Sequence, residues 1–163
     1  MRGGESPASF AKANFAVATI GRADLARYVL RALELQNQGT PGPEKIPNDD
    51  AGVVNLEHIL PANPGEGWPV DPEAAPTLYR RIGNMALLRL AENRAIGNGP
   101  YAEKAKALKG STFTLTAKAG TATKWDAEAI AERQKELAKI AVKTWPINVS
   151  SPKPSSRRKK KPA

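Results

Sequence analysis

The sequence predicts a mostly helical α+β domain, and two observations support this class. Segments with helical spacing of apolar residues occur near both ends of the chain, and two short apolar runs have the length of strands. The 163 residues include no cysteine. With 40% hydrophobic residues, a chain of this size can bury roughly two thirds of its unfolded surface. It therefore needs neither disulfides nor a cysteine-bound zinc ion to fold.

The first strong helix prediction covers residues 22–37 (RADLARYVLRALELQN). Leu25, Val29 and Leu33 recur at a spacing of four residues and predict the buried face of this helix. Gly39 and the proline two residues later predict where the helix ends.

The second strong helix prediction covers residues 126–145. Asp126 is a favourable N-cap residue, and Pro146 ends the helix. The apolar residues along one face are Ile130, Leu137, Ala141 and Trp145.

Two short apolar runs predict strands. The first is residues 53–60 (VVNLEHIL), which Pro61 terminates, and the second is residues 84–90 (NMALLRL). Shorter helical segments are predicted at residues 9–20, 73–81, 91–99 and 101–109, and residues 109–121 (KGSTFTLTAKAGT) are predicted to be extended or looped.

Charge is concentrated at the C-terminal end of the chain. The net charge is +9, but residues 150–163 contain six basic residues and no acidic one, so the other 149 residues carry 19 of the 25 basic groups, all 16 acidic ones and a net charge of +3. We expect this tail to be disordered and to favour contact with nucleic acid. No apolar stretch approaches the roughly 20 residues of a membrane helix, so we expect a soluble, cytoplasmic protein without a membrane partner.

The residues that suggest chemistry surround the only histidine, His58. Glu57 precedes it, Asn84 and Asn93 follow nine residues apart, and Lys104 lies in a predicted helix. Each residue also has a structural interpretation: a half-buried core histidine, a solvated strand glutamate, a turn asparagine, a surface or capping asparagine and a solvated lysine face. The tryptophans are expected to be core or loop anchors rather than base-stacking platforms; they are Trp68, Trp125 and Trp145.

The combined pattern resembles the HNH (His-Me finger) nucleases, and most closely the C-terminal nuclease domains of GmrSD-type modification-dependent restriction enzymes. The motifs that carry the resemblance are residues 57–61 (EHILP), residues 83–85 (GNM), Asn93, Asn98, Tyr101 and Lys104. The flanking segments RYVLRALE and WDAEAIAERQKELAKIAVKTW also resemble this family. The resemblance implies a small ββα-metal core wrapped by helices. It implies a nuclease domain over residues 22–147, a partly helical segment over 1–21 and a disordered basic tail over 148–163.

The resemblance also implies roles for individual residues. His58 is the candidate general base, since an imidazole titrates near neutral pH. Glu57 and Asn93 are the candidate ligands of one divalent cation, and their oxygen donors suit Mg²⁺ or Mn²⁺. Asn84 is expected to bond the backbone near His58 and orient the ring, and Arg94 and Lys104 are candidate contacts to DNA phosphates.

One geometric condition applies to this site. Neighbouring residues on a regular strand point to opposite faces, so Glu57 and His58 can share a site only where the strand bends or ends. Pro61 makes such an ending plausible. Most members of the wider class have aspartate before the histidine, whereas Glu57 matches the narrower family. The absence of cysteine excludes the zinc-stabilised HNH version.

The function predicted from the sequence is that of a metal-dependent DNA endonuclease in a restriction or phage-defence system that targets modified DNA. The alternatives are a catalytically inactive DNA-binding or interaction module that retains the HNH fold, and a helical regulatory subunit. GmrSD-type enzymes also carry a ParB-like, nucleotide-dependent recognition domain. The segment before the nuclease core is too short for such a domain. The chain is therefore a separate subunit, a fragment or a free-standing nuclease, and as a subunit we expect it to work with a partner that carries the recognition domain.

Overall fold

A two-stranded antiparallel sheet lies among helices in the computed structural model, which describes residues 6–45, 53–96 and 99–147. In chain order the elements are α1 (Pro7–Phe15), α2 (Ala23–Asn37), β1 (Val54–His58), α3 (Ala75–Tyr79), β2 (Met85–Arg89), α4 (Leu90–Ile96), α5 (Tyr101–Lys109), α6 (Thr114–Ala119) and α7 (Ala127–Thr144). Two 3₁₀ turns occur at Pro43–Lys45 and Ile82–Asn84. This arrangement confirms the predicted mostly helical α+β class.

The sheet separates two hydrophobic clusters. Leu56 pairs with Leu87 and His58 with Met85, so these side chains lie on one face, where the apolar ones pack with α2 and α7. The other face contributes two more β2 residues and packs against apolar residues of α5 and α7; the cluster includes Ala86, Leu88, Tyr101, Leu108 and Ile130. The sheet therefore has packing partners on both of its faces.

The predicted helix over residues 22–37 is confirmed as α2, and its predicted buried face holds for Leu33 and for the partly buried Val29 but is wrong for Leu25. Leu25 is 45% exposed, whereas Ala26, Leu30 and Leu33 are buried. Because an α-helix has 3.6 residues per turn, a row at a spacing of four drifts by roughly 40° at each step. The sheet and α7 contact the neighbouring row, and the sequence of α2 alone does not specify that choice.

The last helix agrees with its prediction. The Asp126 carboxylate accepts a hydrogen bond from the Ala129 backbone amide at 2.9 Å and caps α7. Ile130, Leu137 and Ala141 are buried. The face predicted from apolar spacing is thus the face that packs into the core.

The prediction of an extended or looped segment over residues 109–121 is wrong, because this segment contains α6. The Glu34 carboxylate of α2 accepts hydrogen bonds from the backbone amides of Thr114, at 2.6 Å, and Leu115, at 2.9 Å. Glu34 thus satisfies amides at the start of α6 that have no partner within the helix. Because the capping residue lies 80 residues away in the sequence, the sequence around α6 does not predict where this helix begins.

Gln134 on α7 connects the N-terminal segment to the rest of the fold. Its Oε1 accepts hydrogen bonds from Arg81 Nε at 2.8 Å and Gly83 N at 3.2 Å. Its Nε2 donates to the carbonyl oxygens of Phe15 and Ala18, each at 2.8 Å. These bonds hold the end of α1 beside the turn that leads into β2.

The remaining predictions concern shorter segments. The helical segments predicted at 73–81 and 101–109 contain α3 and α5. The segment predicted at 91–99 overlaps α4, which begins one residue earlier, at Leu90, and the helix predicted at 9–20 ends earlier, at Phe15. Trp68 and Trp125 are buried, as predicted for core anchors. The predicted disordered tail over 148–163 lies outside the described residues, and the domain boundary placed after residue 21 stays a prediction. No helix within the described ranges is long and apolar enough to cross a membrane.

Candidate active site at the end of the first strand

The residues of the EHILP segment lie at the end of β1, beside a polar cavity of about 360 Å³. Strand β1 ends at His58, and the chain bends away over the next residues. The side chains around the cavity come from β1, the following loop, α3 and α5; they are Leu56, Glu57, His58, Pro61, Ala62, Asn63, Tyr79 and Lys104. Two of the predicted site residues, Glu57 and His58, therefore border the same space.

Neighbouring residues of a strand point to opposite faces, and Glu57 and His58 can still share a site because they lie where β1 ends. His58 faces the α2 side of the sheet with Leu56, and Glu57 faces the α5 side. Among the described residues β1 pairs with β2 alone. The cavity lies where β1 ends, and the two side chains reach it from opposite faces.

Lys104 forms a buried ion pair with Glu57. The Lys104 side chain is 1% exposed, and its Nζ donates to Glu57 Oε1 at 2.6 Å and to the His58 carbonyl oxygen at 3.2 Å. Lys104 lies on the buried face of α5, together with Tyr101 and Leu108. The interpretation of Lys104 as part of a solvated face is therefore wrong, whereas Lys106 and Lys109 of the same helix are exposed.

Asn84 clasps the loop that follows His58. Its Oδ1 accepts from the Leu60 amide at 2.8 Å, and its Nδ2 donates to the Leu60 carbonyl at 2.9 Å. The Trp125 indole donates to the same Oδ1 at 2.9 Å, and Nδ2 also reaches the Tyr79 carbonyl at 3.4 Å. Asn84 is fully buried, so its amide fixes the backbone two residues after His58 against both α3 and Trp125.

Gly83 places Asn84 close to α7. A Cβ atom built on Gly83 would lie 2.4 Å from the Ile130 carbonyl oxygen and 2.8 Å from Gln134 Cβ. Any side chain at this position would push the turn away from α7. The glycine before Asn84 is thus explained by close approach of two backbones rather than by an unusual dihedral angle.

The phenol ring of Tyr79 stacks on the imidazole of His58. The ring centroids are 3.9 Å apart, and the ring planes differ by 11°. His58 and Tyr79 also border a second cavity of about 500 Å³, together with Arg22 and Arg80. Sequence reasoning missed Tyr79, because a tyrosine within a predicted helical turn carries no pattern that indicates its partner.

Burial and the neighbouring cation set the protonation of the site. Burial, with a further contribution from the positive charge of Lys104, lowers the pKa of His58 to about 4. His58 is therefore neutral at physiological pH and able to accept a proton. Burial raises the pKa of the Glu57 carboxyl, and Lys104 opposes this shift by stabilising the carboxylate.

The two remaining predicted site residues are on α4. Asn93 is half-buried and does not line the cavity that Glu57 and His58 share. The side chain of Arg94 lies outside the described part of the chain, so its phosphate contact stays a prediction. Helix α4 follows β2 directly and packs against both strands.

The donor chemistry suits a hard divalent cation, since Glu57 offers carboxylate oxygens and Asn93 an amide oxygen. Within the described residues no group of three His, Cys, Asp or Glu side chains is placed to hold a metal ion. Lys104 is hydrogen-bonded to one oxygen of the candidate carboxylate.

Comparison with known proteins identifies the family. The chain has no match among curated proteins or solved structures. The family model described as "GmrSD restriction endonucleases, C-terminal domain" matches residues 8–140, a range that includes every element from β1 to α6 and most of α7. The chain therefore belongs to the family of C-terminal domains of GmrSD restriction endonucleases.

Proposed function

We propose that this protein is a metal-dependent DNA endonuclease of the HNH type whose reaction centre lies at the end of β1. Family membership supports a nuclease of a restriction system. The observation that carries the finer assignment is the arrangement around one cavity: Glu57 and His58 border it, and Asn84 clasps the backbone that follows.

His58 acts as the general base in this proposal. A neutral imidazole takes a proton from a water molecule, the water oxygen forms a bond to phosphorus, and the bond from phosphorus to the departing sugar oxygen breaks. A protonated histidine could not start this sequence, and the lowered pKa of His58 keeps the ring neutral. The stacked ring of Tyr79 and the clasp of Asn84 limit the orientations that the imidazole can adopt.

Glu57 and Asn93 are the residues that would hold Mg²⁺ or Mn²⁺. When bound, the cation supplies positive charge beside the scissile phosphate and stabilises the departing oxygen. Asn93 lies on α4, which follows β2 directly and packs against both strands. Arg94 and Lys104 are proposed to contact phosphate, although the Lys104 ammonium must first leave its present acceptors.

The proposal is tested by nicking of supercoiled plasmid DNA by the purified chain. We expect nicking with Mg²⁺ or Mn²⁺ and none with EDTA, and we expect Glu57→Gln to require much more metal for the same rate. A folded protein that binds DNA without cutting it under any divalent metal would instead favour an inactive binding module. That result would contradict the proposal.

We further propose that a partner supplies selectivity. Reading a base sequence requires an element in a groove with several side chains at base edges, and outside the C-terminal tail the chain carries a net charge of only +3. A ParB-like, nucleotide-dependent partner that recognises modified cytosine, such as glucosylated cytosine, would provide this function. Strong discrimination between modified and unmodified phage DNA by the isolated chain would contradict the partner hypothesis.

A further inference from the structure

The cation already in the site is Lys104. Its ammonium is almost completely buried and lies 2.6 Å from Glu57 Oε1. A buried carboxylate is costly unless a positive charge compensates it, and Lys104 provides that charge without any bound metal. The same carboxylate is the proposed ligand of a divalent cation, so the Lys104 ammonium and the metal ion would both bind to Glu57.

We propose that the Lys104 ammonium and the divalent cation compete for Glu57, and that the metal binds by displacing Lys104 from the carboxylate. This inference rests on the proposed function, because it takes Glu57 as the metal ligand. A metal ion bound to either oxygen of Glu57 would lie within a few ångströms of the ammonium, and like charges at that distance repel strongly. The ammonium therefore has to move before the metal binds tightly.

The displaced Lys104 ammonium can move into the neighbouring cavity. Lys104 itself lines the cavity that Glu57 and His58 border, so its head group can turn toward an anion that enters there. A DNA phosphate is that anion in the proposed reaction. Metal and phosphate would then favour each other's binding, because the ammonium released by one stabilises the other. Without DNA, the metal affinity is kept low.

The competition is tested by Mn²⁺ binding to the protein without DNA, followed by the EPR signal of the free ion. If Lys104 occupies Glu57 for roughly nine tenths of the time or more, its removal should tighten Mn²⁺ binding by at least about tenfold. We therefore expect this effect for Lys104→Met. The matched control is Lys106→Met, which removes the same charge from an exposed position of the same helix and should change the affinity by less than about twofold.

A double variant locates the site of the new affinity. Glu57→Gln combined with Lys104→Met should abolish the tight binding that Lys104→Met creates. Unchanged or weakened Mn²⁺ binding in a folded Lys104→Met protein would overturn the proposal, and so would tight binding that survives in the double variant.

A measurement on the unmodified chain covers the case in which Lys104→Met does not fold. Acetylation by acetic anhydride, read by peptide mass spectrometry, reports how accessible each lysine is. We expect Lys104 to be protected without metal and to react faster in Mg²⁺, with Lys106 as the internal reference. A rate for Lys104 that stays the same at Mg²⁺ concentrations that support nicking would overturn displacement while leaving the nuclease assignment intact. Loss of nicking activity is a separate result that concerns only the proposed function.

Discussion

At the scale of single residues, His58 can be observed without interference, because it is the only histidine in the chain. Burial and the charge of Lys104 lower its pKa to about 4, against an ordinary value of 6.5. The folded state thus disfavours the proton relative to the unfolded chain. The contribution of His58 to the free energy of unfolding should be fully favourable above pH 6.5 and should decrease as the pH falls toward 4.

We expect the imidazole resonances of His58, followed by NMR without divalent metal, to titrate with a midpoint near pH 4. Lys104→Met should raise this midpoint, because one cause of the shift is removed, whereas Lys106→Met should leave it in place. A midpoint near 6.5 in the unmodified protein would show that the ring is neither buried nor influenced by Lys104 as described.

We propose Tyr79 as a positioning residue for His58, and its stacked ring gives a second prediction. An aromatic ring 3.9 Å from the imidazole should shift the His58 ring protons upfield. Tyr79→Phe should retain both this shift and the cleavage rate. Tyr79→Leu should lose the shift and lower kcat with little change in KM, since the imidazole is then less restricted. Equal kcat values for the Leu and Phe variants would contradict a positioning role.

Among the secondary-structure elements, Asn84 links the loop after β1 to α3 and to Trp125, which precedes α7. Its side chain satisfies the Leu60 amide and carbonyl and the Trp125 indole, all of which are buried. Asn84→Ala leaves these groups without partners, and each such loss costs about 1–3 kcal/mol. We therefore expect the free energy of unfolding to fall by at least about 2 kcal/mol and cleavage to decrease with it.

The control for Asn84 is Asn63→Ala, which makes the same chemical change in the loop after β1 at an exposed position. Its effect on the free energy of unfolding, measured by denaturant titration, should be within about 0.5 kcal/mol. Equal destabilisation by the two variants would mean that Asn84 does not hold the strand end.

The same elements show what the sequence could predict. Helices α2 and α7, both strands and the EHILP segment follow from local patterns: apolar spacing, the Asp126 cap and a terminating proline. Helix α6 was missed because its cap is Glu34, which lies on α2. The buried face of α2 is predicted only in part: Leu33 lies in the core, but Leu25, at the start of the same row, is exposed because the packing partners of α2 contact an adjacent row there. The Lys104–Glu57 pair joins residues 47 positions apart, and no spacing rule predicts such a pair.

For the whole molecule, we expect the distribution of charge to separate DNA affinity from the proposed reaction centre. Residues 150–163 hold six basic groups, and the rest of the chain has a net charge of only +3. Lysine and arginine contacts with phosphate release counterions, which makes binding weaken steeply as salt increases. Deletion of residues 150–163 should therefore lower DNA affinity and flatten its salt dependence.

The tail prediction is measured by DNA binding over a range of salt concentrations. Each lost phosphate contact should change the slope of log K against log salt by about 0.9. A full-length variant with the six basic residues replaced by serine should behave like the deletion. If the slope is the same with and without the tail, the tail does not contact DNA.

The central claim is that His58 is the base in a hydrolytic reaction at the end of β1, and His58→Ala with imidazole rescue tests it most directly. The variant removes the base while the clasp of Asn84 on Leu60 remains. We expect plasmid nicking in Mg²⁺ to fall by at least about 10²-fold, the usual scale for a general base, and added imidazole to restore part of the rate. A folded His58→Ala protein that cuts DNA at the normal rate would contradict the account.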